Sequence, residues 1–328
     1  MALFRWAKSG FRAETTLFSV NLARFAAICR KARKGTGSDG DQDMQFEQIL
    51  DGFVFLEAPR VDDAGSLYFS EVMEGGIHRL NPDGEVDSFI TDRKFVGGLA
   101  LTEDGGFICS GRAGLEYFHP DSGERHALKF FHDGRPIVHI NDIQPDDRGG
   151  LYVGGTHDPK VDAGGLPLFT NLYRLDPSGT ATLLWEGMVI SNGIGFSPDR
   201  ARLYFSETHV GLIVFDLAAD GTLSNRRVLA DFGGADGLQV DAEGGIWVAN
   251  YARGKVVRFL SDGTIDRDLD FSGRFEGCRV TSLTFGGADL KDLYVVTAGD
   301  YLKPPGPDGK VFLARSDIAG QPTPKVRF

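Results

Sequence analysis

DAEGGIWVAN, residues 241–250, packs a turn and a strand into ten positions. The Asp and the paired glycines are turn chemistry, and the apolar, aromatic run behind them reads as a buried strand. The pattern recurs as DDAGSLYFSE (62–71), EDGGFICSG (103–111), DDRGGLYVGG (146–155), SPDRARLYFSE (197–207) and ADLKDLYVVTAG (288–299). The aligned apolar positions are Leu67, Phe107, Leu151, Leu203, Ile246 and Leu293, at spacings of 40, 44, 52, 43 and 47 residues. A repeat of this period displaces the two-domain reading that a length of 328 residues invites.

Working outward, a second run follows each first one: GGIHRLNPDGEV (75–86), AGLEYFHPDSGER (113–125), NLYRLDPSGTAT (171–182), GLIVFDLAADGTL (211–223), GKVVRFLSDGTI (254–265) and GKVFLARSDIAG (309–320). Most end in Asp-Gly or Ser-Gly, the residues of tight hairpin turns. A third run precedes each: FLEAPRVD, VGGLALTED, HINDIQPDD, ISNGIGFSPD, GADGLQVDAE and RVTSLTFGG. With an outer strand after each hairpin, every unit has four short antiparallel strands. Six such units predict an all-β, six-bladed β-propeller over 44–328. FEQILDG (46–52) has no partner of its own and little chain follows the last unit, so this strand is expected to close the sixth blade and remove an open edge.

Residues 1–43 read differently. Eight Lys/Arg against one acid in 1–37 give +7, which leaves −18 on the rest of a chain whose net charge is −11. Leu17, Val20, Phe25 and Ile28 permit a weakly amphipathic helix, and GTGSDGDQD (35–43) has linker composition. A membrane-surface or targeting segment, a disordered basic tail, and an early start codon ahead of Met44 stay open. The expectation is an extension dispensable to the fold. An acidic body excludes nucleic-acid binding by simple electrostatics and suits a cation site. No run of 18 apolar residues is present, so no membrane span is expected. Cys29, Cys109 and Cys278 form no CxxC, which fits a reducing, cytoplasmic setting. Glycine, 44 of 328, runs at nearly double the usual ~7%, as many hairpin corners require.

In a propeller the innermost strands begin at one mouth of the central channel, so equivalent positions converge. Ten residues before each aligned apolar position stand Glu57, Gly97, Asn141, Gly193, Asp236 and Leu283; one extra residue in the fourth turn shifts Gly193 to Asn192. Glu57, Asn141, Asn192 and Asp236 then present four side-chain oxygens. Asn192-Gly193 and Asp236-Gly237 are also plain turn dipeptides, but each leads straight into an apolar strand. Hard oxygen donors without Cys or His suit Ca²⁺ best, with Zn²⁺, Mn²⁺ or Mg²⁺ as other divalent occupants.

On these residues the chain resembles the SMP-30/gluconolactonase/luciferin-regenerating-enzyme family, which includes regucalcin. The resemblance covers about 44–320 and rests on LEAPRV (56–61), IND (140–142), ISNGIGFSPD (190–199), ADGLQVDAEGGIWVANY (235–251) and TSLTFGGADLKDLYVVTAG (281–299). It implies a six-bladed fold, a divalent metal on Glu57, Asn141, Asn192 and Asp236, and lactone hydrolysis with Asp236 as the base. Sugar-lactone members carry an arginine two residues before the third-blade ligand, where this chain has His139. The loop GGTHDPKVDAGGLPLFTN (154–171) is the longest insertion; its His157, Asp158 and Lys160 are candidates for lining the mouth, with Leu166, Leu168 and Phe169 as a less polar wall. His139 and His157 each have a plain structural or surface reading as well, as do Glu207 and His209.

The expected function is metal-assisted opening of a lactone, with Asp236, Asn141 and His139 catalytic and His139, His157 and Asp158 meeting a small-molecule substrate. Two alternatives stay open: an organophosphate or aryl ester hydrolase on the same site, and a non-catalytic propeller that binds a ligand or protein. No GxxxxGK, HExxH or GxSxG occurs, which removes nucleotide, zincin and serine-hydrolase readings. A monomer or weak homo-oligomer is expected.

Overall fold

The computed structural model describes residues 44–156, 170–188, 190–299 and 306–328. Among them every helix is absent and the strands form six four-stranded antiparallel sheets plus a short hairpin, Phe131–His132 with Arg135–Pro136. The chain is a six-bladed propeller. Its innermost strands are Leu56–Val61, Leu99–Leu101, Ile140–Pro145, Ser191–Phe196, Ala235–Val240 and Arg279–Gly286, in blades 1 to 6, and each touches the next around a closed ring. Glu47–Phe53 pairs antiparallel with Gly309–Arg315 and is the outermost strand of blade 6, so the first described strand and the last share one sheet.

The repeated turn has a physical cause. In blade 5, Asp241 Oδ1 accepts from the amides of Glu243 and Gly245 at 2.9 and 2.8 Å. Its Oδ2 accepts from Trp247 Nε1 at 2.8 Å and Arg258 Nε at 2.7 Å. One buried carboxylate thus shapes the turn and fixes two strands. Gly244 sits at φ +87°, a conformation that a side chain would strain. Asp146 repeats the arrangement in blade 3 with Gly150 and Arg174.

The buried apolar residues fall into six clusters, one at each seam between adjacent blades. Trp247 of blade 5 meets Phe285 of blade 6 edge to face at 5.7 Å, and Tyr152 of blade 3 meets Phe196 of blade 4 at 5.0 Å. Strands buried on both faces explain why the central runs are continuously apolar rather than alternating. Cys109 and Cys278 are buried in these seams, and burial pushes both thiols up to about 12, so neither is a nucleophile at neutral pH.

One element leaves no pattern in the sequence. The segment after the last strand crosses the end of the channel opposite the strand starts and touches all six blades. Gly320 N donates to Leu290 O, Ala242 N to Ala319 O, and Gln321 Nε2 to Phe196 O and Val240 O at 3.0 and 3.2 Å. Lys325 pairs with Asp63, Val326 exchanges bonds with Leu101 and Glu103, and Arg327 N reaches Gly149 O. Val326 is fully buried. The tail floors the channel, which leaves the other mouth as its approach. No helix among the described residues is long and apolar enough to cross a membrane.

Candidate functional site

The first strand of a blade is not a regular ladder. Its register slips between Glu57 and Arg60 in blade 1, Ile140 and Ile143 in blade 3, Ser191 and Ile194 in blade 4, and Ala235 and Leu238 in blade 5. Each slip is a bulge near the mouth, and a bulge re-aims a side chain that a flat strand would bury. Glu57, Asn141, Asn192 and Asp236 stand at these four bulges. The structure therefore places all four at equivalent positions of blades that meet around one channel.

The glycines beside them serve space rather than turn geometry. A Cβ on Gly193 would lie 2.8 Å from Asp236 O, and one on Gly237 would lie 2.7 Å from Ser282 Cβ. Neither glycine has positive φ. The bulge of one blade lies directly on that of the next, and only glycine lets the backbones approach so closely. Blade 2 uses the same device in reverse. Gly97 holds the position of a ligand but has no side chain, and a Cβ there would collide with Asn141 Oδ1 and stand 3.1 Å from its Cγ.

Hydrogen bonds orient the amides. Asn141 Nδ2 donates to Ser191 O at 2.8 Å and to Asn192 Oδ1 at 2.6 Å, while Asn192 Nδ2 donates to Thr208 Oγ1 at 2.6 Å. With its nitrogen committed, Asn141 has its Oδ1 to offer, whereas Asn192 Oδ1 already accepts from Asn141 and has one further lone pair. The carboxylates are under electrostatic stress. Burial, then the charges of Asp236 and Asp142, holds Glu57 well above the usual carboxylate range. Burial and the charge of Asp142 do the same to Asp236. Burial lifts Asp142 to about 6, against the pull of Arg60.

Asp142 and Arg60 are residues that counting along the repeat missed. Arg60 Nη2 lies 3.9 Å from Asp142 Oδ1 and donates to Ile143 O at 3.0 Å; Nη1 donates to Pro59 O at 2.8 Å. The guanidinium thus ties blade 1 to blade 3 beneath the four ligand positions. Their signal was present as the Arg of LEAPRV and the Asp of IND, but a buried ion pair is not a spacing.

The sixth blade corrects the count. Phe285 pairs with Leu293 and one further pair, Gly286 with Asp292, follows, whereas Val61 with Leu67 is the last pair in blade 1; the count back from Leu293 is therefore two residues longer, and Thr281 rather than Leu283 is the equivalent position. Leu283 lies in the seam between blades 5 and 6. Thr281 Oγ1 donates to Leu56 O at 2.6 Å and closes the ring back to blade 1. Glu207 is buried and accepts from Arg226 Nη2 at 2.6 Å, a structural pair, and His209 is exposed. His139 stands two residues before Asn141 in the left-handed region at φ +53°. Its N–H donates to Arg112 O at 3.1 Å, and its carbonyl accepts from Thr156 N at 2.6 Å. It is half-buried at the rim. His157, Asp158, Lys160, Leu166, Leu168, Phe169 and the segment 1–43 lie outside the described residues.

The donor set fits a hard divalent cation. It offers two carboxylates and two amide oxygens in a buried, negatively stressed setting, with no sulfur or imidazole donor among them. Among the described residues no group of three or more His, Cys, Asp or Glu is placed to hold a metal, so the amides are essential to any such site.

Comparison with known proteins adds the following. The SMP-30/Gluconolactonase/LRE-like region matches residues 55–299. A 6-deoxy-6-sulfogluconolactonase of Pseudomonas putida is 33% identical over 242 residues, covering 71% of this chain and 79% of that protein. A pentonolactonase of Haloferax volcanii is 34% identical over 249 residues, covering 72% and 79%. Among solved structures, a calcium-binding regucalcin of Agrobacterium tumefaciens has a TM-score of 0.73 at 23% identity, covering 84% of this chain and 95% of that one. At that identity the likeness speaks for the fold.

Proposed function

We propose that this chain, which belongs to the SMP-30/gluconolactonase/LRE-like family, is a divalent-cation-dependent lactonase. The observation that carries the reading is the convergence of Glu57, Asn141, Asn192 and Asp236 from four blades on one channel mouth. The lactonase names of the relatives from P. putida and H. volcanii support the reaction class.

Lactone hydrolysis adds water to the carbonyl carbon and breaks the acyl–oxygen bond of the ring. The ring oxygen departs as a hydroxyl, and the product is an open hydroxy acid. Glu57, Asn141, Asn192 and Asp236 would hold the cation, Ca²⁺ before Zn²⁺, Mn²⁺ or Mg²⁺. When bound, the cation supplies Lewis-acid polarisation of the carbonyl. Asp236 accepts the proton of the attacking water at its carboxylate. Asn141 holds the cation and meets the substrate. His139, on the rim beside it, orients the ring or carries a proton at its imidazole. The reaction calls for a small-molecule substrate and neither nucleic acid nor an organic cofactor. A monomer or weak homo-oligomer in the cytoplasm suffices.

The test is a panel of aldonolactones, aliphatic γ- and δ-lactones and aryl esters, assayed on purified protein with and without EDTA. Turnover of lactones that EDTA abolishes and Ca²⁺ or Mn²⁺ restores is the expected result. Full lactone turnover by the Asp236→Ala protein would sink the assignment of the base.

A further inference from the structure

The blade 2 side of the mouth is built unlike the rest. Gly97 presents no side chain to the channel, and the side chain of Asn141 takes the space that a Cβ there would need. Phe95 lies two residues earlier, no more than about 7 Å along the chain. It is 37% exposed and holds φ +61°, a strained conformation for a bulky side chain. Over its ring lies Arg112, with Cζ 3.6 Å from the centroid. Arg112 is exposed, and its guanidinium has no hydrogen-bond or ion-pair partner among the described residues. Its neighbour Arg93 behaves otherwise, spending its donors on Glu116 at 2.8 Å and on the carbonyls of Ser110 and Gly114. The Arg112 backbone is part of the site's own frame. Its carbonyl accepts from His139 N, and Gly111 O accepts from Ile140 N, the residue before Asn141.

A guanidinium stacked flat on an aromatic ring keeps its edge donors free and loses little further entropy on binding. Here it stands on the blade 2 side of the site, its backbone bonded to His139, beside a channel that carries Glu57, Asp236 and Asp142. We propose that Arg112, held on Phe95, is a specificity residue that receives an anionic group on the lactone, remote from the ester. The substrate class is then a lactone bearing a carboxylate, sulfonate or phosphate. An arginine edge pairs with any of these through two parallel hydrogen bonds. Without Arg112 the acidic channel repels such a substrate; with it, the charged end is held over blade 2 while the ester lies against Asn141 and Asp236. This inference rests on the lactonase reading and narrows it.

The test compares glucono-1,4-lactone with glucaro-1,4-lactone, which carries a terminal carboxylate in place of a hydroxymethyl. Wild-type protein is expected to prefer the anionic lactone in kcat/KM, and Arg112→Gln to cut the anionic-to-neutral ratio by about 10–100-fold. The loss should fall in KM, and Phe95→Leu should reproduce part of it. Equal use of both lactones by wild-type protein, or a preference that survives Arg112→Gln, overturns the proposal. If wild-type protein turns over no lactone at all, the lactonase reading fails, and calorimetric binding of the two lactones decides on Arg112 alone. A binding preference erased by Arg112→Gln upholds the anion site; one that persists refutes it.

Discussion

Replacing Gly97 by alanine tests how the site is assembled. Gly97 does not have positive φ, so its backbone accepts an alanine. What opposes the methyl is the side chain of Asn141, whose Oδ1 it would overlap and whose Cγ would lie 3.1 Å away. Asn141 must therefore rotate away. That breaks its bonds to Ser191 O at 2.8 Å and Asn192 Oδ1 at 2.6 Å. Two such bonds at about 1 kcal/mol each put the cost near 2 kcal/mol in the metal-free protein. Metal affinity should fall about 10–100-fold, because one ligand is misplaced and the orientation of a second is lost. Calorimetric Mn²⁺ titration and thermal unfolding in EDTA read the two effects separately. A double-mutant cycle sharpens the result: in an Asn141→Ala background the methyl meets no obstacle, so Gly97→Ala should cost almost nothing. Additive costs in that cycle, or unchanged affinity in the single variant, would refute the proposed packing.

Three further outcomes follow from the same structure. Asp241→Ala removes the acceptor of Trp247 Nε1 and Arg258 Nε in a fully buried setting and should cost about 3–5 kcal/mol, seen as a large drop in Tm by scanning calorimetry; a change within error would contradict the role of the turn aspartate. His78 is pushed down to about 4 by burial, so it stays neutral in the fold while its unfolded form titrates near 6.5. Its contribution is complete above pH ~6.5 and is lost as pH falls through 4, about 3 kcal/mol in all, so His78→Phe should flatten that part of the stability–pH curve measured by urea unfolding. Ending the chain after Ile318 removes the channel floor, and loss of the buried Val326 alone should cost about 1.5–3 kcal/mol; equal Tm for both lengths would show that the tail does not hold the blades.

The blades were legible because hairpin chemistry repeats with the fold. Each Asp-Gly or Ser-Gly corner is a local constraint, and their recurrence with the turn ahead of each central strand counts the units without knowledge of any contact. The four equivalent bulge positions were legible for a narrower reason. From the last pair of the inner hairpin, the turn spans the same length in blades 1, 2, 3 and 5, so a fixed offset lands on the bulge. It is one residue longer in blade 4, where Phe196 pairs with Leu203, and the offset had to slip. In blade 6 the hairpin carries one more pair, Gly286 with Asp292, ahead of the aligned Leu293, and the unadjusted count lands on Leu283 instead of Thr281. Arg60 and Asp142 escaped because their pairing joins blades 1 and 3 across the channel, a relation that burial creates and spacing does not encode. The floor escaped for a related reason: backbone bonds hold it to the turns of blades 2, 3, 5 and 6 and demand no particular side chains, while Gln321 and Lys325 reach blades 4 and 1 through side chains.

The charge of the channel ties the parts together. Among the described residues, Glu57, Asp236 and Asp142 share one buried space with the guanidinium of Arg60. Burying like charges together is costly, and a protein without a cation answers by taking up protons, which is what the raised carboxylates express. A proton satisfies one carboxylate and takes away its value as a base. A divalent cation answers differently. Together with Arg60 it would balance three negative charges and leave every carboxylate ionised, so the proposed site would keep its oxygen donors and its base at neutral pH. Folding and cation binding are then linked: whatever the cation gains by binding only the assembled ring appears as stability of the closed propeller, about 2.7 kcal/mol at a hundredfold excess over its Kd. A ring that brings four blades' oxygens to one point gains most from an ion that binds them all at once.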